Sequence, residues 1–136
     1  MAIIMKTALA LALTFLTAQI QKNNPNGIWE SESGTQYELQ LSGPDLKVRL
    51  VPGSSQRFIQ YEVDLKNDNE VNTYTGKGFF VAKVKDGKEC RFETEWRMTV
   101  VSNTQIFSVS PTIVPDPETC GVKNKSDATS VLKKKN

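Results

Sequence analysis

The sequence predicts an all-β protein, an antiparallel up-and-down meander of seven or eight strands closing into a small β-barrel, preceded by a signal-peptide helix. Two observations carry this. From residue 27 onward apolar residues recur at every second position, the period of a strand with one dry and one wet face. Breaker residues separate these runs at roughly 8–12-residue intervals, the spacing of barrels and sandwiches. An amphipathic helix would need apolar spacings of three and four, and these runs lack them.

The elements follow in chain order. One positive charge lies within Met1–Lys6, and an apolar run, TALALALTFLTA, fills Thr7–Ala18. Small residues close it and polar Gln19, Gln21 and Lys22 follow, the layout of a secretory signal cut after Ala18. The run is shorter than the ~20 residues of a bilayer span. Residues 19–26 are a turn-rich lead-in, and residues 27–132 the barrel domain. Gly27-Ile28-Trp29 opens it. Tyr37, Leu39 and Leu41 then alternate with polar residues, and Ser42-Gly43-Pro44-Asp45 turns the chain. Leu46, Val48 and Leu50 form the next dry face, ended by Pro52-Gly53-Ser54-Ser55. Ile59, Tyr61, Val63 and Leu65 form another, ended by the polar turn at Lys66–Glu70.

Val71, Thr73 and Thr75 read as a weak strand that Gly76-Lys77-Gly78 interrupts. Phe80, Ala82 and Val84 face one way before an Asp86-Gly87 hairpin turn. In the clearest strand, Cys90, Phe92, Thr94, Trp96, Met98 and Val100 share the dry face, and Arg91, Glu93, Glu95, Arg97 and Thr99 the wet one. After a turn at Ser102-Asn103, Gln105–Val109 is the last well-patterned strand. Pro111, Pro115, Pro117 and Gly121 forbid a long regular element beyond it, although Thr129–Leu132 can add a short strand. The basic tail, residues 133–136, is expected in solvent.

Composition excludes several functions. The chain has no histidine, so Ser-His-Asp and Cys-His catalysis, His-ligated metal and a histidine pH switch are all ruled out. Signal removal takes away only Lys6, lowering the formal charge from +2 to +1. So weak a field steers the molecule neither to nucleic acid nor to an anionic membrane. The two cysteines, Cys90 and Cys120, are expected to form a disulfide in an exported chain. Closing a loop of about 30 residues is worth roughly 3–4 kcal/mol in the chain-entropy account.

Gly27-Ile28-Trp29 is similar to the Gly-x-Trp that opens the first strand of lipocalin and avidin-like barrels, and Thr94-Glu95-Trp96 to the Thr-x-Trp of a late avidin-like strand. The chain resembles a small member of that superfamily. The resemblance implies an eight-stranded barrel holding a small molecule in its mouth. It departs from the pattern in having only Trp29 and Trp96, where avidin-like biotin sites use several tryptophans, and in lacking the lipocalin Thr-Asp-Tyr motif. The architecture carries over and a named ligand does not.

Tyr37, Tyr61, Phe92 and Trp96 fall on expected inner faces and are the candidate ligand-binding residues. Aromatics with polar tips suit a pocket that must orient as well as bury, and they serve equally as plain core. Thr94 lies between two of them, its hydroxyl expected to bond a neighbouring strand. Glu93 and Glu95, flanked by Arg91 and Arg97, read as surface ion pairs rather than a glycosidase acid and base. Asp64, Asn67, Asp68 and Glu70 have calcium-type oxygens but lack the EF-hand order, so they read as a turn. Asn124-Lys125-Ser126 is a glycosylation sequon if the source is eukaryotic.

No catalytic motif, metal site or cofactor is expected. The function expected is an exported, secreted or periplasmic protein that takes a small apolar or amphipathic ligand in the barrel mouth. The alternative is a non-catalytic interaction module with a filled barrel and a protein partner. It would act through Arg91, Glu93, Glu95 and Arg97, through the Cys120 loop, or through Phe58 and Phe79, which alternation places outside.

Overall fold

The computed structural model describes residues 23–135. The expected signal segment and its helix lie outside them. The chain forms eight antiparallel strands: β1 Gly27–Glu30, β2 Gln36–Ser42, β3 Asp45–Leu50, β4 Phe58–Asn67, β5 Thr73–Lys83, β6 Glu89–Val100, β7 Gln105–Pro115 and β8 Val122–Lys134. Each pairs with the next, and β1 pairs with β8, so the meander closes into a barrel. Among the described residues no helix is long and apolar enough to cross a membrane.

β6 has the strict alternation that its sequence predicts, with Cys90 through Val100 inward at every second position. Leu39, Leu46, Val48, Val63, Leu65, Met98 and Ile106 fill the interior with Trp29. The lead-in covers one end. Asn23 donates to Asn72 Oδ1 (2.8 Å) and through Nδ2 to the Val100 carbonyl (3.1 Å). The buried Pro25 accepts from Trp29 Nε1 through its carbonyl (2.8 Å). The aliphatic end of the barrel is therefore plugged, while the opposite end is open.

Four expectations need correction. First, Gly76-Lys77-Gly78 does not break β5, whose ladders with β4 and β6 run through all three residues. Gly76 and Gly78 lie opposite Trp96 and Thr94 on inward positions, and a Cβ at either would strike the Asp64 or Glu62 carbonyl. The inward phase of Phe80 and Ala82 therefore continues back through the glycines to Tyr74, leaving Thr75 on the outer face and Val71 exposed before the strand. Second, a bulge between Phe58 and Gln60 shifts the start of β4. Ile59 is left 40% exposed, while Phe58 packs on the core rather than outside.

Third, β7 runs through Pro111 to Pro115 and β8 spans 13 residues. Pairing of β6 with β7 stops at Arg97 opposite Val109, so Pro111 and Pro115 fall where β7 has only β8 beside it. A missing N–H is tolerated on such an edge. Fourth, Lys133 and Lys134 are not a solvated tail, because they pair with Glu30 and Trp29 and close the barrel.

The disulfide forms as expected, with Cys90 and Cys120 Cα atoms 5.4 Å apart. It ties the start of β6 to the β7–β8 loop. Lys88 Nζ adds a bond to the Glu118 carbonyl (2.8 Å). The stretch of β6 from Glu89 to Trp96 and that of β7 from Ser110 to Pro115 do not pair with each other and border a slit. Ladder pairs close one end of it and the disulfide the other.

Candidate mouth pocket

At the open end the interior widens into a cavity of about 240 Å³. Its floor is aromatic. Tyr37 enters from β2, Tyr61 from β4, Phe80 from β5 and Trp96 from β6, with Phe58 beside them. Tyr37, Tyr61 and Trp96 meet edge to face with centroids 5.3–5.7 Å apart, and Tyr61 stacks on Phe80 at 5.0 Å. Such pairs hold their rings in fixed orientations. Trp96 Nε1 donates to Tyr61 Oη (2.9 Å), which lies 3.5 Å from Thr94 Oγ1. Thr94 thus bonds two strands away, across Gly78, rather than to an adjacent strand.

The wall is made of hydroxyls. Ser31, Ser33 and Thr35 stand on the β1–β2 side, and Ser108, Ser110, Thr112 and Ser130 on the β7–β8 side. Ser31 and Ser33 Oγ are 2.9 Å apart, and Ser33 Oγ is 3.3 Å from Thr35 Oγ1. Arg57, in the β3–β4 loop, crosses the mouth and donates through Nη2 to the Ile113 carbonyl (3.0 Å). Burial raises the phenol pKa of both Tyr37 and Tyr61. For Tyr61 the bonds from Thr94 and Trp96 and the charge of Arg57 oppose that rise. Both phenols are neutral at physiological pH.

Of the four residues expected to bind a ligand, Tyr37, Tyr61 and Trp96 come together on the floor. Phe92 does not line the cavity. It is buried behind Phe80, the two ring centroids 5.4 Å apart. Sequence reasoning missed Arg57, Phe58, Phe80 and the hydroxyl wall. Ser108-x-Ser110-x-Thr112 on β7 carries a legible signal, since hydroxyls at period two on a strand share one face, whereas Ser31, Ser33 and Thr35 lie in the turn between β1 and β2, where that period does not apply.

A second depression follows the slit outside the barrel, lined by Thr75, Glu95, Arg97, Val109, Lys125 and Asp127. Trp96, Ser110 and Pro111 border both spaces, so they form the wall between the mouth and the slit. The other candidate clusters are occupied by their own neighbours. Arg49 binds Glu62 and Asp64 at 3.2 and 2.9 Å, and Arg97 binds Asp68 and Glu70 at 3.2 and 3.3 Å. Glu93 and Glu95 are on the outer face as read, and Arg91 lies 3.9 Å from Glu93. Phe79 is also on the outer side, under the Arg91 guanidinium at 3.8 Å.

Compared with known proteins, the chain matches no family model, no curated protein and no solved structure.

Proposed function

We propose that this chain is an exported, non-catalytic binding protein of lipocalin or avidin-like type, taking a small, partly apolar ligand in the barrel mouth. One observation carries the reading: the barrel is packed throughout its plugged half, yet leaves about 240 Å³ open over an aromatic floor with a hydroxyl wall. A core built only for stability closes such space, because unfilled volume costs dispersion contacts. Rings held edge to face offer a flat ligand a surface, and the hydroxyls offer it orientation. The space is below the ~300 Å³ at which drug-sized pockets begin, so the ligand is small. The disulfide fits an oxidising compartment outside the cytoplasm.

Tryptophan emission tests the reading. Trp96 lines the pocket, whereas Trp29 is fully buried near the plugged end and reports on the fold alone. One- and two-ring probe molecules should change the emission of the wild-type protein. Trp96→Phe should abolish the change while Trp29 emission stays native. A panel that moves neither tryptophan nor the melting temperature would sink the pocket reading and leave an interaction module in its place.

A further inference from the structure

The charge of the mouth is one-sided. Among the described residues no Asp or Glu lines the pocket, and Arg57 is the cation there. The chain's other arginines are matched differently. Arg49, Arg91 and Arg97 each face a carboxylate on the outer surface. Arg57 pairs with no carboxylate among the described residues. It rests over the Phe58 ring at 5.3 Å and gives one bond to the Ile113 carbonyl. A guanidinium carries five donors in a planar fork that matches two oxygens of a carboxylate at once. Anchored at one corner and stacked on a ring, this fork is oriented before any ligand arrives, which lowers the entropy lost on binding.

The rest of the lining agrees. The hydroxyls of Ser110, Thr112 and Ser130 can donate to an anion, while Ser108 already donates to the Ser130 carbonyl (3.4 Å), and the two floor phenols carry no charge to repel it. About eight waters, at ~30 Å³ each, would fill the same volume. That is room for one or two fused rings and a short acidic arm.

We propose that the mouth selects small organic monoanions, a planar ring lying on Tyr37, Tyr61 and Trp96 and its carboxylate on Arg57 at the rim. This rests on the reading that the mouth binds small molecules, and it names their class. Arg57 is the specificity-determining residue and the aromatic floor supplies affinity shared by acids and neutral analogues.

Matched pairs of probes test the proposal: indole-3-acetate with indole-3-acetamide, and benzoate with benzamide, titrated calorimetrically into the wild type, Arg57→Gln and Arg57→Lys. In the wild type each acid should bind at least tenfold tighter than its amide, and the gap should shrink as salt rises. Arg57→Gln should cut acid affinity about tenfold, to the level of the amide, with a much smaller change for the amide itself. Arg57→Lys, with charge but no fork, should fall between. Equal binding of acid and amide by the wild type overturns anion selection and leaves the pocket reading standing. A preference that persists in Arg57→Gln overturns the placing of the carboxylate on Arg57. If neither member of any pair binds, both readings fail. A melting temperature within a few degrees of wild type in each variant shows that the barrel is intact.

Discussion

Single side chains in this barrel are set by what surrounds them rather than by their type. Tyr37 and Tyr61 both sit on the pocket floor, and burial raises the pKa of each phenol. An unfolded tyrosine ionises near pH 10. A raised folded-state value means that the native state keeps its proton where the unfolded chain has lost it. The unfolded state then binds fewer protons, so stability falls as pH climbs. The contribution of these phenols is fully present below about pH 10 and is lost above it. Urea midpoints should therefore show a phenol-dependent fall between about pH 10 and 12, worth about 1 kcal/mol or more. Tyr37→Phe should weaken that fall. A pH dependence identical to wild type would refute the buried-phenol assignment. Residue identity alone could not rank the aromatics: Phe92 has the same inward parity as Trp96, yet Phe80 stands between it and the cavity.

The strands divide into those legible from alternation and those that need a partner to be recognised. β6 alternates without exception over most of its length, so its faces could be read directly. β5 could not be phased, because the two glycines at its centre are inward positions without side chains. They keep β4 close, and their lack of a Cβ removed the very signal that marks a dry face. β8 is mostly exposed along its first half, where Lys123, Asn124 and Lys125 carry no apolar rhythm. The hydrogen-bonded ladder with β7 alone makes that stretch a strand. The β6–β7 slit belongs to this scale too. With ladder pairs at one end only, the disulfide holds the other. Cys90→Ser with Cys120→Ser should cost about 3 kcal/mol. Amide exchange should accelerate across Arg91–Trp96 and the β7–β8 loop, and change little at Met98–Val100, which still pairs with β7. Uniform acceleration along β6 would mean that the tie stabilises the barrel only globally.

At the scale of the molecule, closure depends on a narrow seam. β1 meets β8 through Trp29 opposite Lys134 and Glu30 opposite Lys133. Lys135 N–H bonds the Ile28 carbonyl (2.8 Å) and Lys135 Nζ sits 3.2 Å from Glu30. The Lys134 ammonium lies 5.7 Å over the Trp29 ring. These lysines read as a solvated end because their charge is all that composition displays, whereas their aliphatic stems and backbone do the closing. Deleting residues 133–136 should lower the melting temperature by several degrees and shift Trp29 emission to the red as β1 frays. A truncated chain that melts like the parent would show that the seam is dispensable.

Apolar alternation and turn residues were enough to determine an all-β meander, most strand positions, the disulfide pair and three of the four pocket aromatics named from sequence. Those features rest on neighbours within a few residues, or on the only two cysteines present. Tertiary structure alone decided which end is plugged, where the ladder parts, and that Arg57 reaches Ile113 across the mouth. Residues dozens of positions apart meet only once the sheet has curled into a closed cylinder, and no local pattern encodes that meeting.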